Sequence, residues 1–389
     1  MDLKAAVYYG RRDVRIETVP DPPAPGAGEL VLAVGCVGIC GTDVAEYVHG
    51  PRMIPLQTRH AVSGHCGPLI PGHEFVGQIV AIGPQVQGLT VGQRVVPGAG
   101  MWCGQCRWCL AGQSHLCARY FVYGLHADGG LATFVRVPAC MCAVVPPACP
   151  DESAAMAQPL AIALHALRSS GVRREDRQAL IGVGGMGSFI LAAAHAAGLT
   201  SIMALDVDER RLERAALLGA SSLIQVRKED PLAAVDRLSQ FDGADVVIEA
   251  SGAPSAPLLA LAAVRRGGRV LLVGLQGQPT TLDLHELVLR EVALLSCNGH
   301  DCSVDLPRAL TMLSESDLAS RMLERIIPLE QLVSEGLQAL AAGSVHGKIL
   351  VRPGPASVSS AAPPAGAGVA QVHSEGGREH RLAQQPLTI

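Results

Sequence analysis

The fold is decided by residues 178–187, which read Gln178-Ala-Leu-Ile-Gly182-Val-Gly184-Gly185-Met-Gly187. An apolar run of strand length leads into the glycines, and the following residues, 188–198, have the composition of a helix. In such a strand–turn–helix unit, Gly182 permits the tight turn, Gly184 lets the backbone approach a pyrophosphate, and Gly187 allows close packing of helix on strand. The helix start, at Gly185, attracts phosphate groups. The stretch therefore predicts a dinucleotide-binding βαβ unit.

A second feature supports this prediction, because a glycine motif alone is weak. Asp206 ends the next apolar run, at the distance expected for a ribose-binding acid. Its carboxylate would accept hydrogen bonds from the adenosine ribose and repel a 2′-phosphate, so we expect NAD rather than NADP. Arg211 is either a flank for the adenine or part of a solvated helix face, and the sequence favours neither.

Downstream of the glycines, strand-like and helix-like segments alternate. The runs ALIGV, SIMALD, ADVVIEA and GRVLLVGL have strand length, and helical segments separate them. Buried parallel strands with crossover helices give this pattern. We predict a Rossmann domain, a doubly wound parallel sheet, over residues 158–295. A chain of 389 residues has room for a second domain.

The residues before the Rossmann domain have the composition of a β-rich domain. Residues 1–157 are rich in Gly and Pro and contain short runs such as Leu30–Val34, Phe75–Ile82 and Arg94–Val96. Near the end of this region Asp151 is expected to cap a helix. Residues 296–353 alternate less regularly and end in a predicted strand, Lys348–Val351. Residues 354–389 cannot bury enough apolar surface to order themselves, and we predict a disordered tail.

Four cysteines form the most specific motif in the chain. Cys103, Cys106, Cys109 and Cys117 lie within fifteen residues, in a lobe predicted over residues 95–120. Zinc favours four thiolates in a tetrahedron, and CxxC turns bring sulfurs to the necessary separation. A site with four protein ligands is closed to substrate, so this zinc is expected to fold the lobe.

A second set of metal ligands lies apart from the lobe. Cys40 stands in the stretch Val37–Asp43 and His73 in Pro71–Phe75, each surrounded by glycines that let the backbone fold tightly. A catalytic zinc has about three protein ligands and one open position. Either residue alone is more often a buried thiol or a structural histidine, but together they predict a catalytic zinc.

Composition restricts the remaining function classes. The formal charge of −4 provides no basic face for nucleic acid and no polybasic block for a membrane surface. No apolar run has the length of a membrane span, and the N-terminus lacks a signal-peptide core. We therefore expect a cytoplasmic protein with no nucleic-acid or membrane partner.

These motifs together resemble a known family. GICGTD at residues 38–43, PGHEF at 71–75, the four cysteines and the glycine motif occur in the order typical of zinc-containing medium-chain dehydrogenases/reductases. The likeness runs from about Lys4 to Val351. Residues 46–51, 60–64, 333–340 and 348–351 are most similar to the 2,3-butanediol dehydrogenase branch, with sorbitol and threonine dehydrogenases as its nearest relations.

The resemblance implies an architecture and a set of roles. The fold would be a GroES-like β-rich catalytic domain with the Rossmann domain inserted before its last strands, and residues 296–353 would return to the catalytic domain. Glu74 would be a zinc ligand or its exchangeable neighbour, Asp43 would orient His73, and Thr42 would take the alcohol proton. Gln158 falls where polyol dehydrogenases usually carry a glutamate near the metal. Strand ends near Ser251–Gly252 and Val273–Gly274 would lie beside the ribose and nicotinamide.

The expected activity is zinc-dependent transfer of hydride between a secondary alcohol and NAD, with two zincs per chain. The substrate would be a small diol such as 2,3-butanediol, its product acetoin, or a polyol; the alternatives are a sugar or cyclitol dehydrogenase, or a non-catalytic NAD-binding zinc protein. Ala45 replaces a histidine common in the branch, which leaves the proton relay to water or to a group such as His49. His165 is interpreted as structural. A homodimer or homotetramer is the usual assembly of the family.

Overall fold

The computed structural model describes residues 3–240 and 242–354, so the predicted tail, except Gly354, lies outside the described residues. The strands are β1 Lys4–Gly10, β2 Asp13–Thr18, β3 Glu29–Gly38, β4 Glu74–Ile82, β5 Arg94–Pro97, β6 Gly100–Met101, β7 Phe121–Val122, β8 Phe134–Pro138, β9 Cys142–Val144, β10 Gln178–Ile181, β11 Ile202–Asp206, β12 Ser222–Gln225, β13 Ala244–Glu249, β14 Val264–Leu272, β15 Ala293–Ser296, β16 Leu323–Pro328 and β17 Lys348–Arg352.

Twelve α-helices are found within those residues. They are α1 Gly41–His49, α2 Arg107–Leu110, α3 Asp151–Ala154, α4 Ala157–Ser170, α5 Gly185–Ala196, α6 Glu209–Leu217, α7 Pro231–Leu238, α8 Ala256–Ala263, α9 Leu284–Leu289, α10 Asp305–Glu315, α11 Leu318–Met322 and α12 Gln338–Ala341. Short 3₁₀ turns at Ser114–Leu116, Ala139–Met141 and Leu329–Gln331 and a π-helix at Leu332–Leu337 complete the chain.

The first large sheet is built from both ends of the sequence. Its strand order is β16-β17-β3-β4-β5-β9, with β8 also paired to β3. The antiparallel register places Gly38 opposite both Glu74 and Leu350, at one end of the sheet. This register brings the segment after β3 beside the residues before β4 and the first residue of β17.

The second sheet is parallel and has the strand order β12-β11-β10-β13-β14-β15. Successive residues of β10 point to opposite faces, so Leu180 packs in one core with α4 and α5, while Ala179 and Ile181 pack in another with α7 and α8. Helices therefore cover both faces, which is the doubly wound arrangement. The predicted mixed α/β fold, with a GroES-like body and a Rossmann sheet, is confirmed.

One local prediction is wrong. Asp151 does not cap a helix; it is the first residue of α3, whose N-cap is Pro150. Its carboxylate instead accepts a hydrogen bond of 2.9 Å from Arg94 Nη1 on β5. An ion pair between α3 and β5 therefore takes the place of the local cap. The domain boundaries that we predict, with the change at residue 157, stay predictions.

Across residues 3–240 and 242–354, no helix combines the length and apolar character needed to cross a bilayer. The cytoplasmic location remains a prediction.

Candidate active site

The candidate catalytic metal site lies at the end of the first sheet where β3 and β4 meet. Donor atoms of Cys40, His73 and Glu74 all lie within 4.8 Å of one another. Cys40 follows β3 by two residues and is the N-cap of α1, while His73 and Glu74 lie at the start of β4. Because Gly38 pairs with Glu74, the sheet register itself brings these donors together.

Asp43 lies where it can orient His73. Its Oδ2 accepts a hydrogen bond of 2.9 Å from the Cys40 backbone N–H, which ties the carboxylate to the start of α1. Its Oδ1 is 3.6 Å from His73 Nδ1. Burial alone would lower the pKa of His73, but its neighbours Asp43, Cys40 and Glu74 raise it to about 10. The cluster therefore attracts positive charge strongly.

The donor set fits a catalytic zinc. It offers one thiolate, one imidazole and one carboxylate, all ligands that zinc accepts in tetrahedral sites. Three donors leave a fourth position for water or substrate. Gln158, on the first turn of α4, is buried, and its Oε1 has no hydrogen-bond partner among the described residues. The hydroxyl Oγ1 of Thr42 lies 3.7 Å from Cys40 Sγ, beside the donors.

Lys348 adds a positive charge that the sequence did not reveal. It pairs with Glu74 Oε2 and donates a hydrogen bond of 2.9 Å to the carbonyl of Ile39. A side chain at Gly38 would come within 2.7 Å of Lys348 Cε, so the ion pair requires glycine there. Glu74 is thereby shared between the donor cluster and a lysine from the last strand.

The four-cysteine lobe forms a separate metal site. All four Sγ atoms lie within 4.8 Å of one another, with Cys106 to Cys109 at 3.4 Å and Cys103 to Cys109 at 3.9 Å. A zinc tetrahedron with Zn–S bonds of about 2.3 Å requires S···S separations of about 3.8 Å. Backbone N–H groups of Gln105 and Cys106 lower the pKa of Cys103 to about 6, which favours its thiolate. The paired strands β6 and β7 close the base of the lobe.

The glycine motif is built as a dinucleotide cradle. Gly182 has φ of +85°, and a Cβ there would meet Ser251 at 2.5 Å. A Cβ at Gly185 would meet nothing within 4 Å, and one at Gly184 would find only Arg211 in reach, at 3.6 Å. The first glycine is thus required by the protein, and the middle pair leaves space for a ligand.

Asp206 fixes the same loop. Its Oδ2 accepts a hydrogen bond of 2.9 Å from the Val183 N–H, and Arg211 Nη1 is 3.9 Å from its Oδ1. At the third glycine, Gly187, a Cβ would clash with the carbonyl of Gly182, so α5 packs directly on the turn. The predicted strand, turn, helix and acid are all where the motif requires them.

Comparison with known proteins assigns the family. Residues 26–147 match the alcohol dehydrogenase GroES-like domain, and residues 185–315 match the zinc-binding dehydrogenase domain. The chain is 34% identical to sorbitol dehydrogenase of Bacillus subtilis over 71% of this chain and 76% of that protein. The chain belongs to the zinc-containing medium-chain dehydrogenase/reductase family.

Two further relatives cover nearly the whole molecule. The (R,R)-butanediol dehydrogenase of Bacillus subtilis is 30% identical over 90% of this chain and all of that protein. The crystal structure of 2R,3R-butanediol dehydrogenase from Bacillus subtilis superposes with a TM-score of 0.83 at 29% identity, covering 90% of this chain and 100% of that one. An alcohol dehydrogenase from Thermus sp. ATN1 gives 0.81 at 30% identity, with 90% and 99% covered.

Membership in this family makes the protein a dehydrogenase that acts on small-molecule alcohols and uses zinc and a nicotinamide dinucleotide. The comparisons therefore favour the enzyme over a non-catalytic zinc scaffold.

Sequence reasoning missed two buried charges that organise this dehydrogenase site. The sequence indicates only that Lys348 begins a strand. Its contact with Ile39 joins residues that are 309 positions apart. Glu249, fully buried at the end of β13, accepts hydrogen bonds from the Ser251 and Gly252 N–H groups beside Gly182. The possible relay group His49 is exposed at the last residue of α1. No local pattern marks Lys348 or Glu249.

Proposed function

We propose that the protein catalyses the reversible oxidation of a secondary alcohol in a small diol or polyol to a ketone, with NAD as hydride acceptor. The observation that carries the proposal is the convergence of Cys40, His73 and Glu74 beside Thr42, at the end of the β-rich sheet. Zinc held by these donors supplies a Lewis acid that lowers the pKa of the alcohol hydroxyl. Bound NAD would supply the acceptor for the hydride.

The protein's own residues position the substrate and move its proton. Thr42, whose Oγ1 lies 3.7 Å from Cys40 Sγ, would accept a hydrogen bond from the substrate hydroxyl and relay its proton by passing its own hydroxyl proton on to water. Asp43, whose Oδ1 lies 3.6 Å from His73 Nδ1, would orient the imidazole, as a carboxylate partner does in many zinc sites. Gln158 adds a neutral amide at the start of α4 and leaves the site with less negative charge than a glutamate would.

Replacement of a donor tests the proposal. His73→Ala and Cys40→Ser should each abolish turnover, while binding of NAD, measured by fluorescence titration, survives because the glycine loop is untouched. Cys66→Ser is a matched control, since Cys66 is exposed in the loop before His73. Normal activity in either donor variant, assayed with 2,3-butanediol and sorbitol, would refute the assignment.

NAD rather than NADP is supported by Asp206. This buried carboxylate ends β11 at the edge of the cradle, where a 2′-phosphate would meet its negative charge. Asp206→Asn keeps an acceptor for the Val183 N–H and removes the charge. We expect kcat/KM with NAD to fall and that with NADP to rise by about tenfold, or about 1.4 kcal/mol. Glu209→Gln, on the adjacent exposed turn, should change neither value.

Two zincs per chain are proposed because two separate donor groups are present. Metal analysis of the purified protein should give about two zinc ions, and Cys106→Ser should lower the count by one while catalytic-site zinc is retained. A single zinc in the unaltered protein would contradict this count.

A homodimer or homotetramer is proposed from the exposed edge of the parallel sheet. β15 is the last strand in the sheet order, and the neighbouring α9 exposes apolar side chains, with Leu284, Val288 and Leu289 exposed by 66, 75 and 57%. Such an edge invites pairing with a second copy. Val288→Glu should lower the mass measured by light scattering, whereas Leu217→Glu, on exposed α6, should not.

A further inference from the structure

Glu249 is a buried carboxylate whose negative charge is not balanced by a cation. It ends β13 and is fully buried. Two other carboxylates of similar burial, those of Glu74 and Asp305, pair with a lysine and an arginine. Within residues 3–240 and 242–354, no lysine, arginine or histidine lies within ion-pair distance of Glu249, whose side-chain partners are all neutral. A buried charge without a cation costs free energy, and such costs are typical of functional sites.

Four hydrogen bonds hold this carboxylate in place. Its Oε1 accepts from the Ser251 N–H at 2.7 Å, from the Ser251 hydroxyl at 2.5 Å and from the Gly252 N–H at 2.9 Å. Its Oε2 accepts from Gln276 Nε2 at 3.2 Å. All four groups donate, which is the pattern of an ionised carboxylate, because an ionised carboxylate accepts hydrogen bonds and has none to donate.

The loop after β14 contacts this carboxylate and also lines an open crevice. A Cβ at Gly274 would come within 2.6 Å of Glu249 Oε2, so the backbone of the loop lies directly on the carboxylate. Residues 272–276 line a cavity of about 790 Å³ beside the carboxyl ends of β14 and β15. A ligand in this cavity need not touch Glu249 to be affected by its charge, since electrostatic interactions extend over a Debye length of about 8 Å and buried charges are screened less.

The strand order indicates which half of a dinucleotide would occupy this crevice. The order across the sheet is β12-β11-β10-β13-β14-β15. Dinucleotides bind across the carboxyl ends of such a sheet, with the pyrophosphate at the glycine loop. The glycine loop follows β10 and Asp206 ends β11, so the adenosine half is expected on the β11 side. The nicotinamide half is therefore expected to extend towards β13 and β14, beside the loop that covers Glu249.

The oxidised and reduced cofactors differ in charge at the nicotinamide ring. The ring of NAD carries one positive charge, and the ring of NADH is neutral. A fixed negative charge nearby therefore attracts the oxidised ring and has little effect on the reduced ring. At an effective dielectric constant of about 20, two opposite unit charges about 10 Å apart change an affinity by roughly tenfold.

We propose that Glu249 is a specificity-determining residue for the oxidation state of the cofactor, in which its unbalanced charge strengthens the binding of NAD relative to NADH. The inference rests on the proposed function, which names NAD as the hydride acceptor, and adds the residue that sets the balance between the two cofactor forms. Glu249 acts through space, without contact with the ring. The complex that it favours is the one that accepts a hydride from an alcohol.

Removal of the charge provides the test. Glu249→Gln keeps a carbonyl oxygen that accepts from Ser251 and Gly252, and the Gln276 amide can turn so that its own oxygen accepts from the new NH2 group. With the zinc-loaded protein, the dissociation constant of NAD should rise by about 3- to 10-fold, and that of NADH should change by less than about twofold. Calorimetric titration with each dinucleotide measures both constants. An unchanged ratio of the two constants would overturn the proposal.

Two controls separate the effect of the charge from the packing of the loop. Gln276→Met removes the hydrogen bond to Oε2 and leaves the charge, so the ratio of the two dissociation constants should stay as in the unaltered protein. Glu315→Gln removes a charge from the exposed end of α10 and should change neither constant. A ratio that changes as much in Gln276→Met as in Glu249→Gln would assign the effect to packing and contradict the proposal.

A second variant decides the question if Glu249→Gln does not fold. In Gln276→Lys an ammonium group replaces the amide beside Oε2 and neutralises the carboxylate. The ratio of the dissociation constants of NAD and NADH should then rise relative to Gln276→Met, and equal ratios in these two variants would overturn the proposal.

Binding of the dinucleotides is measured without turnover, which separates this inference from the proposed function. If no alcohol is oxidised, the proposed function fails, and a raised ratio in Glu249→Gln still supports the role of Glu249. If the protein prefers NADP, the same ratio is measured with NADP and NADPH, which differ by the same ring charge. Absence of binding by all four dinucleotides would overturn the inference.

Discussion

At the scale of single residues, the side chain of Lys348 provides a test of how Glu74 takes part in the metal site. Its side chain is only 9% exposed, and its ammonium is paired with the buried Glu74. Removal of one partner of a buried pair leaves an uncompensated charge and costs about 3–5 kcal/mol. We therefore expect Lys348→Met to lower the stability of the zinc-free protein by about that amount. Urea denaturation of the zinc-free and zinc-loaded forms measures it.

Zinc should reduce this loss, because a metal ion can take the place of the lysine as the partner of Glu74. Lys348→Arg keeps the charge and is the control, with a smaller loss expected in both forms. An equal loss for Lys348→Met with and without zinc would show that Glu74 makes no contact with the metal.

The residues of this site differ in how far the sequence could predict them. Cys40, Asp43 and His73 stand in short stretches with special composition, and the structure places Asp43 Oδ1 3.6 Å from His73 Nδ1. Lys348 and Glu249 stand in ordinary strands. Their roles arise from the register of one sheet and the packing of a loop, and neither leaves a local pattern.

At the scale of elements, the four-cysteine lobe should depend on its metal more than the sheets do. Residues 102–120 of the lobe have only the short helix α2 and a 3₁₀ turn, and few of their side chains are buried. Binding of zinc therefore supplies much of its folding free energy. Cys109→Ser should raise hydrogen exchange over residues 100–122 while β3 and β10 stay protected. Unchanged protection of the lobe would contradict a structural zinc.

The contact between α4 and α10 carries a prediction about pH. Burial alone would raise the pKa of Asp305, but its contacts with His165 and with the guanidinium of Arg168 hold it below its ordinary value. Above about pH 4 the carboxylate is charged in both the folded and the unfolded chain, so the pair stabilises fully. That contribution is lost as the pH falls through the lowered folded-state pKa.

Asp305→Asn should therefore cost about 3 kcal/mol at pH 7, and the difference from the unaltered protein should shrink below about pH 4. Denaturation midpoints measured from pH 7 to pH 3 give both values. Asp317→Asn removes an exposed pair with Arg321 and should cost less than about 1 kcal/mol. A difference that stays constant with pH would exclude the linkage.

Elements with a strong pattern were predictable, and those decided by distant contacts were not. The alternation of apolar runs predicted β10, β11, β13 and β14, because buried parallel strands are continuously apolar. The prediction that Asp151 caps its helix is wrong, since Arg94 on β5 binds that carboxylate. A cap depends on three or four neighbouring residues, but an ion pair between a helix and a distant strand depends on the whole fold.

At the scale of the whole molecule, one arginine fastens the dinucleotide-binding sheet to the β-rich sheet. Arg214 extends from α6, beside β11, and donates a hydrogen bond of 2.6 Å to the carbonyl of Arg321. It also reaches the carbonyl of Met322 and the carboxylate of Glu324, at the start of β16. The cap of α6, Asp208, contacts His346 before β17 at 3.3 Å. Both contacts lie on the helix that follows Asp206.

Arg214→Met should therefore affect stability and cofactor binding together. The change leaves carbonyls at the α11–β16 junction without a donor, at a cost of about 1–3 kcal/mol. It also frees α6, which carries Arg211, so the dissociation constant for NAD should rise several-fold. Denaturation and fluorescence titration measure the two effects. Arg210→Met, an exposed neighbour on the same helix, should change neither quantity. A loss of stability with unaltered NAD binding would show that contacts within the parallel sheet are enough to position α6. The contacts between the two sheets at the adenosine end would then have no effect on the cofactor site.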